Sequence, residues 1–496
     1  MTAIATAAPH PAIAEARHHC PTLAATSLAD RMEALQAVLD YLGRRREWLL
    51  DCIVAESGRS RGDAMISDIF QLTEDLLWLR GNAARALADE KVPTPLALLG
   101  KRCHIQHEAR GVVLVISPWN LPLAIGLTAA MFAFIAGNAV ILKPSEHTPM
   151  HEALAEIRAL HPLLDAGFQV IHGDGRVAES LIAGRPDLVV FTGSVATGKK
   201  ILAQCAPMLV PVVMELGAKD AMLVFDDADL ERAAAAACWG NLHNSGQSCT
   251  AVERLFVHNK VRDEFSRQLL AAGDRIRCGT GPDHDLGQIT TDFQLRHIEA
   301  LVEDARSKGA RVLSGGKSHP DNRRIYLPTL LTGVTDDMRI TQEEIFGPVM
   351  CLYGFDHEHE VVAQHNSSPF GLSTSIWTKD GQRAARLARQ LETGCININN
   401  IMLTEGNAHL PFGGVKHSGF GRMKGVEGLR GMTRSKAVLD DPGRMASEPN
   451  WYPYSTQKLS LMGRLLDLAT RRDPLRFLGM AQVGLAINGL LRSRSR

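Results

Sequence analysis

At 496 residues the chain has room for roughly three domain-sized units, and 45% hydrophobic with 22% charged residues marks a well-packed protein, not a disordered one. Lys plus Arg and Asp plus Glu both number 54, so no global field steers the molecule toward nucleic acid or an anionic membrane, although a local patch still can. Nine scattered cysteines without a Cys-x-x-Cys pair argue against a disulfide framework or a zinc site, and for a reducing compartment.

Residues 1–11 are Ala-rich, with no Lys or Arg ahead of an apolar run, and do not read as a secretory signal. No uninterrupted apolar stretch reaches the roughly 18 residues of a spanning helix, so a soluble, cytoplasmic protein is expected. Residues 28–90 read as helices: Leu28, Met32, Leu35, Val38 and Leu39 recur at helical spacing, as do Ile69, Leu72, Leu76 and Leu79. Val92-Pro-Thr-Pro95 and Gly100 then punctuate a segment with the character of a short hairpin. From residue 111 an alternation sets in. Extended segments at 111–116, 139–142, 168–171, 187–191, 211–215 and 221–225 are interleaved with helical ones at 121–136, 151–161 and from about 196. Strands apolar on both faces, separated by helices, predict a parallel sheet with helical cover. A second α/β region spans about 227–419 and opens on a helix predicted over 227–242, whose acidic start suits an N-terminal cap.

The tail beyond Pro442 differs. Residues 459–496 hold seven Arg against two Asp among apolar side chains such as Leu465, Leu466, Phe477, Leu478, Leu485 and Leu490. One reading is an amphipathic surface helix touching a membrane or a partner. The other is a solvated helix packed on its own subunit, and the neutral overall charge favours it.

Chemistry gathers at the ends of predicted strands. Phe191-Thr-Gly-Ser-Val-Ala-Thr-Gly198 runs from a strand into a helix whose free N–H groups suit a pyrophosphate. The Gly-x-Gly-x-x-Gly and Walker patterns are absent, so an ordinary turn reads equally well. Lys143-Pro-Ser-Glu146 ends another strand; its carboxylate suits the ribose hydroxyls of NAD and repels a 2′-phosphate, though such turns are more often just solvated. Cys249, in Asn244-Ser-Gly-Gln-Ser-Cys-Thr250, follows a glycine that leaves the backbone open, as a nucleophile needs; one cysteine of nine is more often inert. Glu215 ends an apolar strand, where a carboxylate serves either as general base on water or in a salt bridge. Asn120, in Ser117-Pro-Trp-Asn120, offers an amide to an oxyanion, or merely bonds its own turn.

Taken in order, Pro118-Trp-Asn120, Lys143-Pro-Ser-Glu146, Phe191-Thr-Gly-Ser194, Glu215-Leu-Gly-Ala-Lys219, Gly246-Gln-Ser-Cys249, Glu343-Glu-Ile-Phe-Gly-Pro348 and Pro411-Phe-Gly-Gly-Val-Lys-His-Ser-Gly419 resemble the NAD(P)-dependent aldehyde dehydrogenase superfamily. The 34-residue step from Glu215 to Cys249 matches the family, and the resemblance covers about residues 25–440. It implies an α/β fold: a Rossmann-like NAD-binding domain (1–90 and 110–219), an α/β catalytic domain (220–420) and a small β oligomerisation element (91–109 and 425–440), followed by the basic amphipathic tail (442–496). It further implies Cys249 as nucleophile, Glu215 as general base and Asn120, with the Cys249 N–H, as oxyanion donors. Lys143 and Glu146 correspond to adenosine-ribose contacts, Gly193 and Ser194 to the pyrophosphate site, and Glu344 to the carboxylate on the nicotinamide ribose. Phe346 corresponds to a ring beside the nicotinamide, and Trp119, next to Asn120, to a further cofactor contact.

The reaction implied is oxidation of an aldehyde to its acid with NAD, NADP being the alternative, through a cysteine thioester in a homodimer or homotetramer. No metal or nucleic acid is implied. A CoA-acylating relative and a non-catalytic protein on the same scaffold are the alternatives. Two departures stand out. Ala218 replaces the family's second glycine, at a cost of about 1 kcal/mol if that position needs positive φ. The Arg that clamps semialdehydes is missing near Leu242-His-Asn244, which leans the substrate toward an uncharged aliphatic or aromatic aldehyde, and the tail would suit a lipid-derived one.

Overall fold

The computed structural model describes residues 8–95, 98, 100–444 and 447–493. The signal-peptide reading therefore falls largely outside the described residues. Contacts divide the chain into one unit of residues 1–88 with 107–435 and a second of residues 89–106 with 436–496. The first unit opens with helices whose apolar stripes are buried, as the spacing predicts: Leu35, Val38 and Leu39 on Leu28–Arg44, then Leu72, Leu76 and Leu79 on α1 (Gln71–Ala86). A π-helical turn, Met65–Phe70, leads into α1; such turns widen a helix and often mark functional sites.

A six-stranded sheet follows. Its strands are β1 (Val112–Ile116), β2 (Ala139–Lys143), β3 (Phe168–Val170), β4 (Leu188–Gly193) and β5 (Val212–Leu216), parallel in the order β3-β2-β1-β4-β5. A late strand, Gly419–Phe420, adds antiparallel beside β5 and sets Gly419 opposite Glu215. β1 and β2 are buried along their whole length, because helices cover both faces of a parallel sheet. The strand order reverses between β1 and β4, and ligands bind outside the carboxyl ends at such a switch point. Helix α2 (Ala124–Ile135) is shorter than predicted, because Asp68 Oδ1 accepts from Leu123 N and Ala124 N at 3.1 and 2.9 Å and fixes the start there. Helices α3 (Gly175–Ala183) and α4 (Val195–Cys205) precede and follow β4.

The second sheet has seven strands: β6 (Asp220–Val224), β7 (Val252–His258), β8 (Arg311–Ser314), β9 (Thr329–Thr332), β10 (Val349–Phe355), β11 (Ser373–Trp377) and β12 (Cys395–Ile398), ordered β8-β9-β10-β7-β6-β11-β12. All neighbours are parallel except the edge pair β8–β9. Helix α5 (Leu230–Leu242) begins three residues later than its acidic sequence predicts. Asp229 is the cap, accepting from Arg232 N at 3.1 Å, while Asp227 accepts from Thr378 Oγ1 and Arg383 Nη1. Carboxylates two residues apart thus serve different partners.

In the second unit Glu90–Lys91 pairs antiparallel with Arg102–Ala109, the predicted hairpin, and Thr433–Asp440 joins the same three-stranded sheet. Leu96, Ala97 and Leu99 of that hairpin lie outside the described residues. Two helices, α6 (Thr456–Thr470) and α7 (Arg476–Ser493), form the tail. Among the described residues no helix is long and apolar enough to cross a membrane.

One buried ion pair ties the first sheet's exit to the second sheet. Lys219 Nζ, between β5 and β6, donates to Glu253 Oε2 on β7 at 2.7 Å and to the Glu343 carbonyl at 2.8 Å. Glu253 Oε1 accepts from Ile345 N and Phe346 N at 2.8 and 2.9 Å. Removing one partner strands a buried charge, so Lys219→Met is expected to lower the unfolding free energy by about 3–5 kcal/mol. Urea unfolding should show an earlier midpoint at unchanged slope; an unmoved midpoint would refute the assignment.

Candidate active site

A cavity of about 1890 Å³ runs through the first unit past the carboxyl ends of β1, β2, β4 and β5. Every residue singled out from the sequence lines it: Cys249, Glu215, Asn120, Lys143, Glu146, Gly193, Ser194, Glu344, Phe346 and Trp119. The topology explains the convergence: the first sheet's parallel strands deliver the carboxyl ends of β1, β2, β4 and β5 to one side, and the loops that enter β7 and β10 of the second sheet bring Cys249, Glu344 and Phe346 to it.

Asn120 Nδ2 donates to the Gln247 carbonyl at 2.9 Å, two residues before Cys249, which leaves its second amide hydrogen uncommitted by that bond. The Asn120 carbonyl accepts from Asn244 Nδ2 at 3.0 Å and from the buried Arg59 at 3.3 Å. Arg59 also pairs with Asp68, the carboxylate that starts α2. The loop carrying Cys249 is equally fixed. Asn244, Ser245 and Gly246 all take positive φ, at 53°, 55° and 73°. A Cβ at Gly246 would fall 2.1 Å from the Gly347 carbonyl carbon, so only glycine lets this loop touch the Gly347–Pro348 backbone. Asn244 N donates to Asp63 Oδ2 at 3.0 Å and Thr290 N to Gln247 Oε1 at 2.8 Å, which hold the strained turn.

Glu215 is buried, and neither carboxylate oxygen has a hydrogen-bond partner. Buried polar groups are nearly always paired, so an orphan carboxylate facing a cavity marks a functional candidate. Burial pushes its pKa well above the ordinary 4.5, against the pull of Arg422. The Cys249 thiol is partly exposed to the cavity. Desolvation, then the charges of Glu405, Asp220, Glu215 and Glu344, raises its pKa well above the usual thiol value. The surrounding protein therefore holds the thiol protonated. Ala218 packs behind Cys249 with Leu372, Cys395 and Phe412, and its φ is not positive, so the strain conditionally expected there does not arise.

The remaining residues fit the extended dinucleotide that the resemblance implies. Beyond β2, Lys143 Nζ lies 3.2 Å from Glu146 Oε2, and Glu146 is the more exposed of the two. Ser194 caps α4 by accepting from Thr197 N at 3.3 Å, so the helix N-terminus faces the cavity beside Gly193. Ala178 and Ile182 of α3 and Ile201 of α4 add apolar walls for a base. Farther along, Glu344 Oε1 accepts from Ala218 N at 2.8 Å, and burial together with the Glu253 charge pushes its pKa up to about 8. A Cβ at Gly217 would lie 2.3 Å from the Glu344 carboxylate, which explains the glycine. Phe346 holds φ at 51° and meets Trp119 edge-on at 5.4 Å.

The other arm of the cavity is lined by Ile66, Phe70, Leu77, Trp78, Trp239 and Leu403, and α2 turns the modest side chains Ala124 and Thr128 toward it. Its charges are mostly acidic. Glu405 Oε2 accepts from Thr250 Oγ1 at 2.7 Å, and Lys424 is tied to Asp75 at 3.3 Å. The sequence reading missed Arg59, Asp68, Asp63, Glu253 and Glu405. Each acts on a partner remote from it in sequence or unmarked by any motif, and a single charge in a helix, a strand or a loop carries no positional signal. All nine cysteines are free thiols, and among the described residues no cluster of three or more His, Cys, Asp or Glu is placed to hold a metal.

Comparison with known proteins bears on the family and the fold. Residues 2–438 match the aldehyde dehydrogenase family model. The chain is 38% identical over 448 residues to the 4,4'-diapolycopene aldehyde oxidase of Methylomonas sp, covering 90% of this chain and 84% of that one. It is 36% identical over 446 residues to the betaine aldehyde dehydrogenase of Sinorhizobium fredii, covering 88% and 89%. The solved NAD+ complex of aldehyde dehydrogenase from Bacillus cereus superposes with a TM-score of 0.80 at 31% identity, covering 87% and 88% of the two chains. The chain belongs to the aldehyde dehydrogenase family.

Proposed function

We propose that the protein oxidises an uncharged, largely apolar aldehyde to its carboxylic acid, with Cys249 as nucleophile and NAD as the preferred acceptor. The observation that carries this reading is the unpaired, buried Glu215 carboxylate sharing one cavity with the Cys249 thiol. Lys143 and Glu146 would hold the adenosine ribose, Gly193 and Ser194 the pyrophosphate, and Glu344 the nicotinamide ribose, with Phe346 and Trp119 beside the ring. Glu146 favours NAD, while Lys143, His147 and Lys200 along the same wall leave NADP an alternative.

When bound, the dinucleotide supplies a hydride acceptor and a cationic ring. The chain's own residues do the rest. Cys249 Sγ, ionised, adds to the carbonyl carbon. The free amide hydrogen of Asn120 and the Cys249 N–H receive the oxyanion, each such donor being worth about 3 kcal/mol. After oxidation to the thioester, Glu215 takes a proton from water, whose oxygen displaces sulfur and releases the acid. Subunits pairing through the three-stranded sheet would give a homodimer or homotetramer.

The substrate class rests on the apolar arm and its acidic inventory, and a relative named for diapolycopene aldehyde supports it. Cys249→Ser is expected to abolish NADH formation while leaving NAD binding by titration intact; retained turnover would sink the scheme. For Glu215→Gln the expected signature is a burst of NADH followed by slow deacylation. In the parent enzyme the deacylation rate should rise with pH as the carboxyl ionises, with its midpoint above the ordinary carboxylate range, and the variant should lose that limb. At alkaline pH, which favours the ionised carboxylate, Glu405→Gln is expected to raise kcat/KM for 4-carboxybenzaldehyde about tenfold relative to benzaldehyde. An unchanged ratio would remove Glu405 from substrate selection.

A further inference from the structure

The tail hairpin has an outward face that aqueous solvent does not explain. Its two helices pack on each other: Val483 and Ile487 of α7 are buried, Leu461, Leu465 and Leu468 of α6 are half-buried, and Gly479 lies against Leu468. A helix satisfied by that contact normally turns charge outward. Here large apolar side chains are turned outward as well. Leu459, Met462 and Leu466 form an exposed stripe on α6, and on α7 Phe477, Leu478 and Leu485 are 56%, 65% and 72% exposed. From Phe477 to Leu491 there are 15 residues without one Asp, Glu, Lys or Arg, bracketed by Arg476 and Arg492. Such a stretch is about 22 Å long as a helix, short of the roughly 30 Å hydrocarbon core. It suits lying in a membrane surface, not crossing one.

The charges identify the surface. Residues 459–496 carry seven Arg against two Asp, and Arg464, Arg471 and Arg472 are all exposed. Trp451, Tyr452 and Tyr454, all exposed, precede α6, and such rings favour the headgroup level. A second copy of this face brings the same excess of arginine, so charge favours an anionic occupant. We propose that the α6–α7 hairpin docks on the surface of an anionic lipid bilayer. The neutral total charge of the chain hides this, because the basic residues of the tail are offset by acids elsewhere.

The test uses the full chain, sedimented with vesicles of phosphatidylcholine alone or mixed with phosphatidylglycerol, with light scattering in parallel. The protein should pellet with the anionic vesicles and much less with the neutral ones. Replacing Arg464, Arg471 and Arg472 together by Gln should weaken partitioning about a hundredfold. The combined Phe477→Ser, Leu478→Ser and Leu485→Ser variant should also lose binding, and both variants should keep the parental mass and circular dichroism. Equal partitioning of the three proteins, or binding by none, would overturn the proposal. So would a drop in mass on removing the apolar trio, which would assign the face to a second copy.

Discussion

The geometry around the Cys249 thiol depends on the buried Lys219–Glu253 pair. Its ammonium bridges the stretch after β5 to the carbonyl of Glu343, and its carboxylate gathers the amides of Ile345 and Phe346. Glu215 lies four residues before that lysine, Glu344 inside the gathered segment, and Cys249 four residues before that glutamate. A buried pair is a poor source of net stability, but its hydrogen bonds fix direction as well as distance. Here the gain is register: three segments remote in sequence are held together to within a hydrogen bond.

Around that frame the protein accepts unfavourable local states. Three consecutive residues in the left-handed region, two of them not glycine, turn the chain toward Cys249. Four carboxylates raise the thiol's pKa, and one of them, Glu215, lacks any hydrogen bond. Each feature destabilises the free protein, and each is held by partners such as Asp63, Gln247 and Arg59 that make no other evident contribution to chemistry.

Much of the fold was legible because its signals are local. Apolar runs of five residues between helical segments read as parallel strands, and β1, β2, β4, β5 and β6 lie within a residue or two of their predicted positions. Helix starts were less legible. Leu121 and Asp227 look helical by composition, but remote partners, Asp68 in one case and Thr378 with Arg383 in the other, decide where the first turn begins.

By itself the sequence determined the α/β alternation and the family, because turn glycines, strand-end polar residues and their order along the chain are one-dimensional facts. It also singled out Asn120, Lys143, Glu146, Glu215 and Cys249, which line the cavity near strand ends, while Glu344 came from the family resemblance. Only the tertiary structure decided what supports them. Arg59 behind Asn120, Glu253 beneath Phe346 and Glu405 across from the thiol are single charges in unremarkable surroundings, and burial alone makes them consequential. The tail shows the same division: composition counted its leucines and arginines, but which leucines face outward depends on how two helices pack.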